Sequence, residues 1–124
     1  MNGEIEIVEI LVKNSTESDI DLNIKNNFGK SALHYACEYG KTEIVMIFMK
    51  NSIEYNIDLN AKCKGGHTAF HLVCMNNRNT EMAKFLFNNS LEFNIDLKAK
   101  SNTGNTAGDF AVMSDNFEIA KMVL

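Results

Sequence analysis

Two copies of a His-x-x-Cys pair are the residues of this chain best suited to metal chemistry. His34 precedes Cys37, and His71 precedes Cys74. Two imidazoles and two thiolates can bind Zn²⁺ when all four ligand atoms lie within about 2.3 Å of one ion. The two pairs are 37 residues apart (71 − 34), a spacing found in helical repeat proteins. Adjacent units of such proteins lie roughly 10 Å from each other. Parallel copies at that distance do not converge on one ion, so we predict no metal site and no cofactor.

The cysteines also bear on catalysis and on the redox compartment. A disulfide needs Cα atoms closer than about 7 Å, which excludes Cys37 and Cys74 at equivalent positions of neighbouring units. We therefore predict a reduced, intracellular and cytoplasmic protein. Cys63 lies near His67 in sequence, but neither oxyanion donors nor a third orienting group can be assigned. We predict that Cys63 is not a nucleophile, that His67 is a solvated surface residue, and that the chain is not an enzyme.

The composition narrows the classes of partner. The chain has 124 residues and a formal net charge of −4, which disfavours nucleic acid because phosphate binding needs clustered Lys and Arg. No apolar run approaches the roughly 18 residues of a membrane-spanning helix. The length fits one domain with a sizeable core. We predict a single domain that binds neither nucleic acid nor membranes.

A repeated tract provides the strongest signal of architecture. The sequence Asn56–Lys62 returns almost unchanged as Asn94–Lys100, and a worn copy occupies Asp19–Lys25. The copies are 37 residues (62 − 25) and 38 residues (100 − 62) apart. A fixed period in this range is typical of stacked repeat proteins, which offer an extended binding surface and no buried reaction centre.

The repeat divides the chain into four units with one pattern. In the second, third and fourth units, a Gly turn leads to a Ser or Thr suited to cap a short apolar helix, and a polar turn then leads to a second amphipathic helix. The capping residues are Ser31, Thr68 and Thr106. The second helices open with the carboxylates Glu6, Glu43, Glu81 and Glu118, whose charge suits the helix dipole. The units are 1–25 (partial), 26–62, 63–100 and 101–124 (partial).

The runs Gly29–Cys37 and Gly66–Cys74 resemble the ankyrin repeat, with its G-x-T-P-L-H-x-A-A core. The resemblance implies an all-α solenoid of stacked helix-turn-helix units with hairpin-like loops, and protein binding as the activity. It also implies that His34 and His71 hydrogen-bond the capping residues and nearby backbone, tying one unit to the next. Pro is replaced throughout by Ala32, Ala69 and Ala107. The fourth unit has Gly108-Asp109 in place of an apolar residue and the His, so we expect it to be the least stable.

The period exceeds the usual 33 residues of the family. The additional residues fall in 51–55 and 89–93, just after the second helix. About four residues make one helical turn, so we predict an extended second helix, with a longer loop as the alternative. Asn56 and Asn94 suit a left-handed C-cap, with Ile57 and Ile95 folding back on the last turn. The side chains expected to add buried contacts are Ile53, Tyr55, Leu91 and Phe93.

Both ends of the sequence lack parts of the repeat. Residues 3–6 align with 40–43, just before a second helix, and the sequence stops partway through another. Solenoids need polar capping repeats. We therefore expect a fragment of a longer array or an array capped by a partner, with self-association through the uncapped ends as a further option.

The resemblance places partner contacts on the loop tips and on the exposed side of the first helices. The matching positions, most of which differ between units, are Lys25, Asn27, Phe28, Lys30, Glu38, Tyr39, Lys62, Lys64, His67, Met75, Asn76, Lys100 and Asn102. Phe28 and Tyr39 are candidate anchors because aromatics are enriched in hot spots. The basic row Lys25, Lys62 and Lys100 favours an acidic partner segment. The competing hypothesis is a structural spacer within a larger enzyme, channel or effector protein.

The resemblance also suggests a modification. Asparagines in ankyrin loops can be substrates of the asparaginyl hydroxylase that acts on hypoxia-inducible factor. The matching positions are Asn23 and Asn60, whereas Lys98 breaks the pattern. Intact-mass measurement after incubation with that enzyme tests this hypothesis, and a spectrum without an added oxygen would remove it.

Overall fold

The computed structural model describes residues 3–15 and 20–124, and every regular element in these ranges is a helix. Asp19, the first residue of the worn tract, lies outside them. Within the described residues, eight α-helices follow one another, with a 3-10 turn at Asn77–Asn79 before the fifth. They are α1 (Gly3–Lys13), α2 (Ala32–Glu38), α3 (Thr42–Lys50), α4 (Ala69–Cys74), α5 (Thr80–Asn88), α6 (Ser90–Phe93), α7 (Ala107–Met113) and α8 (Phe117–Val123).

The helices stack in the order that the repeat predicts. The first helices of successive units pack side by side, α2 on α4 and α4 on α7. Each is paired with the second helix of its own unit, α2 with α3, α4 with α5 and α7 with α8. Among the second helices, α1 packs on α3, and α5 packs on α8. The result is the predicted all-α solenoid.

Each first helix begins with a reciprocal cap. In α4, the Thr68 hydroxyl accepts the His71 N–H at 3.3 Å, while His71 Nδ1 accepts the Thr68 N–H at 3.0 Å. Asp109 replaces His in α7, where its Oδ2 accepts the Thr106 N–H at 2.9 Å. These pairs satisfy amide groups that a helix N-terminus otherwise leaves without partners. The predicted capping residues are confirmed.

The second helices end earlier than the sequence analysis predicts. α3 ends at Lys50. The Asn51 side-chain amide donates to the Ile47 carbonyl at 2.8 Å, and the Ser52 hydroxyl donates to the Met49 carbonyl at 2.8 Å. The additional residues then form a separate turn, which in the third unit is the one-turn helix α6. The prediction of an extended helix is therefore wrong, because side-chain donors satisfy the last carbonyls and compete with helix continuation.

The end of each additional turn follows the prediction. Asn56 and Asn94 both have φ of 54°, in the left-handed region. Ile57 is buried after its turn, and its N–H donates back to the Ser52 carbonyl at 2.8 Å. Ile95 donates to the Ser90 carbonyl at 2.9 Å in the same way.

The core runs the length of the stack, between the two rows of helices. Its largest fully buried side chains include Met49, Ile119 and Val45. Tyr55 and Phe93 pack against it as predicted. Ile53 and Leu91 do not, since they are 83% and 97% exposed, so the expectation that they bury is wrong. None of the described helices has the length and apolar character that crossing a membrane requires.

Candidate functional site

The loop tips that precede the first helices are built alike in three units. Each five-residue loop is closed by a backbone bond from its first N–H to its last carbonyl, as in Cys63 to His67 at 3.0 Å. Adjacent tips are also joined, because the Lys64 N–H donates to the Phe28 carbonyl and the Asn102 N–H to the Gly65 carbonyl, both at 3.0 Å. The tips thus form a continuous hydrogen-bonded edge along the stack.

His34 and His71 hold neighbouring units together. Since His71 Nδ1 accepts the Thr68 N–H, the ring carries its proton on Nε2. That nitrogen lies 3.1 Å from the Asn105 carbonyl of the next unit, and His34 Nε2 lies 3.0 Å from the His67 carbonyl. Burial lowers the pKa of both rings, which keeps them neutral and suited to this geometry. The role implied for the two histidines is confirmed.

The basic row along the tips makes bonds from one unit to the next. Lys25 Nζ donates to the Lys62 carbonyl at 2.8 Å, and Lys62 Nζ donates to the Lys100 carbonyl at 3.0 Å. All three lysines remain exposed at the surface. The ammonium groups therefore order the edge and still present their charge to solvent.

The second unit carries the most aromatic part of the predicted surface. Phe28 and Tyr39 are 67% and 66% exposed. The Tyr39 ring stacks on Tyr35, with centroids 6.2 Å apart and an interplanar angle of 7°. Lys30 forms a 2.7 Å ion pair with Glu38 and lies 5.3 Å from the Tyr35 ring centroid. Lys30 and Glu38 thus bind each other and brace the aromatic pair.

The other predicted contact residues fall into two groups. Asn27, Lys64 and Met75 are exposed. Two asparagines have structural bonds: the Asn76 Oδ1 accepts the Arg78 N–H at 2.9 Å, and the Asn102 amide donates to the Lys64 carbonyl at 2.7 Å. The geometry therefore offers an exposed, braced surface, part of whose polar groups already have partners within the chain.

His67 is placed differently from the prediction of a solvated side chain. Its ring is partly buried, edge-on to His71 and Phe110 with centroid distances of 5.7 and 5.2 Å. Its Nδ1 is buried, with no hydrogen-bond partner among the described residues. Burial lowers the pKa of this ring, helped by the charge of Lys30. The neighbour that covers it, Phe110, belongs to the next unit, so nothing at the His67 position itself signals its burial.

The side chains of Asn23 and Asn60 hydrogen-bond the backbone of the following unit, a role that the sequence did not predict. The Asn60 amide donates to the Asn94 carbonyl at 2.9 Å and accepts the Asp96 N–H at 2.8 Å. Asn23 makes the same two bonds to Asn56 and Asp58, at 2.8 and 2.7 Å. The signal in the sequence is an Asn two residues after Asp in two of the three copies of the tract. Hydroxylation of Asn23 and Asn60 stays a prediction.

Two of the three cysteines are placed for packing. Cys37 and Cys74 are fully buried, and burial raises the pKa of each thiol to about 12. A thiol with so high a pKa is a poor nucleophile and a poor metal ligand near neutrality. Within residues 3–15 and 20–124, no group of three or more His, Cys, Asp or Glu side chains is placed to hold a metal ion.

Comparison with known families gives the class of protein. A family model of ankyrin repeats (many copies) matches residues 14–72, and a model of ankyrin repeats (3 copies) matches residues 48–124. The chain is therefore a repeat solenoid that belongs to the ankyrin repeat family. No curated protein matches the chain. Domains of this family are generally protein-protein interaction modules and are typically non-catalytic.

Proposed function

We propose that this chain is a protein-protein interaction module that binds its partner on the concave side of the stack, through the loop tips and the exposed side of the first helices. The observation that carries the proposal is the exposed aromatic pair, Phe28 and Tyr39, in the second unit. Large aromatics on a surface add nothing to solubility, whereas they dominate the energetics of interfaces. The pair is the proposed anchor of the partner.

Rigidity supports the same proposal. The tips are joined by backbone bonds, and Tyr39 is stacked on Tyr35 beside the Lys30–Glu38 ion pair. A surface that is ordered before binding loses little conformational entropy on association. This module therefore contributes affinity by preorganisation, with the ordering cost left to the partner.

The charge of the tips indicates the chemistry of the partner. Lys25, Lys62, Lys64 and Lys100 are exposed along one edge, although the chain as a whole is acidic. Complementary charge speeds encounter and suppresses wrong partners. The proposed partner is a protein with an acidic segment that runs along the tips and a hydrophobic side chain that contacts Phe28 or Tyr39.

Affinity capture from a lysate of the source cells, followed by affinity measurement with the recovered protein, tests the anchor. We expect the Phe28→Ala, Tyr39→Ala double variant to weaken binding by about tenfold or more, with an unchanged circular dichroism spectrum. Phe117→Ala is the matched control. Phe117 is also an exposed aromatic residue, at 58%, but it begins α8, a second helix that lies outside the proposed binding surface.

The outcomes separate the two candidate functions. Equal binding by the double variant and the wild type, with native circular dichroism, would show that the proposed face is wrong. Capture of no reproducible protein by the wild type would favour the spacer hypothesis, in which these repeats only connect parts of a larger enzyme, channel or effector protein.

A further inference from the structure

The additional turns leave one large aliphatic side chain of the second unit and one of the third unit in solvent. Ile53 and Leu91 occupy equivalent positions, 38 residues apart (91 − 53), and are 83% and 97% exposed. Their neighbours Tyr55 and Phe93 pack against the core. Single exposed aliphatic residues are common on protein surfaces. Ile53 and Leu91, however, recur at the same position of adjacent units, and they contribute almost no buried area to the folded state. Their recurrence therefore suggests a role other than stability.

Two adjoining grooves accompany these side chains. One, of about 520 Å³, is lined by Ile53 and by the loop from Asn56 to Asn60, and the other, of about 560 Å³, by Leu91 and the equivalent loop. They share Asn60 and Asn94, whose 2.9 Å hydrogen bond forms the wall between them. Each groove has the volume to receive several side chains of a ligand.

The grooves lie in an acidic environment. The segments 51–61 and 89–99 contain four carboxylates and one lysine, a net charge of −3 (1 − 4). The four carboxylates are Glu54, Asp58, Glu92 and Asp96, all exposed. The lysine, Lys98, donates its ammonium to the Val123 carbonyl at 3.1 Å. This charge attracts cationic groups and repels nucleic acid and anionic lipid.

We propose that these grooves form a second protein-docking surface, distinct from the concave face, that binds a basic peptide segment carrying two aliphatic side chains. Adjacent units lie roughly 10 Å apart, and a peptide in the polyproline II conformation advances about 3.1 Å per residue with three residues per turn, so every third side chain lies on the same face. Aliphatic residues three positions apart therefore reach Ile53 and Leu91 together. Lysines or arginines between and beside them meet Glu54 and Glu92.

A synthetic peptide with the sequence Lys-Lys-Leu-Lys-Lys-Leu-Lys-Lys is the probe, with a version carrying Ser in place of both Leu as its control. In ¹H–¹⁵N NMR spectra of the full chain, the Leu peptide is expected to shift amide resonances of residues 51–58 and 89–96. Resonances of Phe28 and Tyr39 are expected to stay in place, which separates this surface from the one under Proposed function.

Variants of the protein measure how much the aliphatic contacts and the ionic contacts each contribute to the affinity for the peptide. By fluorescence anisotropy, Ile53→Ser with Leu91→Ser, and separately Glu54→Lys with Glu92→Lys, are each expected to weaken binding about tenfold. The control is Glu6→Lys with Glu43→Lys, which changes the net charge equally at two other exposed carboxylates and is expected to leave the affinity within about twofold. The melting temperature of the Ser variant should equal that of the wild type.

Three results would overturn the proposal. Equal affinity for the Leu and Ser peptides would mean that only charge is recognised. Shift changes on the tips, or spread over every acidic patch, would place the binding elsewhere. A wild-type dimer in sedimentation that becomes a monomer in the Ile53→Ser, Leu91→Ser variant would show that a second copy, and not a basic peptide, occupies the grooves.

Discussion

The third and fourth units share one local structure and differ in how they join a neighbour. In both, the N3 side chain accepts the N–H of the capping threonine, at 3.0 Å for His71 and 2.9 Å for Asp109. Only His71 has an N–H donor on the far side of its side chain, and this Nε2 reaches the Asn105 carbonyl of the next unit. The helix cap and the bond between units are therefore separate functions, which one histidine performs together and an aspartate does not.

The burial of equivalent side chains in the first helices also differs between these two units, because among the described residues only the third unit is covered by a following first helix. Cys74 is fully buried, whereas Val112 at the equivalent position is 44% exposed. α7 packs on α4, the helix that contains Cys74, whereas the described part of the chain places no further first helix on the other side of α7. Whether a side chain is core thus depends on the following unit more than on its own residue type.

The largest effect is expected when the third unit is given the residue of the fourth. In His71→Asp the carboxylate can keep the cap, but it loses the donor and faces the Asn105 carbonyl in a buried site. We expect a loss of about 3 kcal/mol of unfolding free energy in urea titrations. The reverse change, Asp109→His, should alter it by less than about 0.5 kcal/mol, because the described residues offer the new Nε2 no acceptor. Equal losses would contradict the separation of the two functions.

An intermediate effect is expected at the glycines of the tips. Gly66 and Gly104 have φ of 79° and 81°, so alanine is strained at both. A Cβ at Gly66 would also lie 2.6 Å from the backbone nitrogen of Asn102, whereas one at Gly104 meets no described atom within 4 Å. We expect losses of about 2 kcal/mol for Gly66→Ala and about 1 kcal/mol for Gly104→Ala. Thermal melts of both variants measure the difference, and identical melting temperatures would count against close packing of the tips.

The smallest effect is expected from pH, and it arises in the units that have histidine caps. Burial lowers the pKa of His34 and His71 in the folded chain. At a pH below about 6.5, the ordinary pKa of His, the unfolded chain therefore binds more protons than the folded chain. Stability is therefore complete above that pH and falls as the pH decreases through it. Between pH 7.5 and 6.0 the wild type should lose more stability than His71→Asn, which is less stable throughout; parallel pH profiles would refute the assignment.

The fold was predictable because its signals are local and repeated. Glycine, capping residue and apolar spacing recur in each unit, and the left-handed Asn56 and Asn94 follow from residue type and position. Each of these features requires only the residue itself and its close neighbours in sequence. The predicted capping and tying role of His34 and His71 rested on the family resemblance.

The failures concern features decided across units or by competing local bonds. His67 is covered by Phe110 of the next unit, which composition at position 67 does not reveal. The second helices end at a recurring Asn-Ser pair, Asn51-Ser52 and its copies, whose side chains take the last carbonyls. The early end leaves Ile53 and Leu91 outside the core. The exposure of Phe28 and Tyr39 was predicted correctly, because loop tips and polar helix ends are surface positions in each unit.

The bonds made by the Asn60 and Lys62 side chains point in one direction along the chain, from a unit to its successor. Asn60 reaches Asn94, Lys62 reaches Lys100, and Asn23 and Lys25 reach the same places one unit earlier. A duplicated copy of residues 26–62, inserted in frame after residue 62, would find matching donors before it and matching acceptors after it. Unequal recombination within such a gene could therefore lengthen or shorten the array by whole units, and selection would act on the ligand preferences of the new array with its foldability already in place.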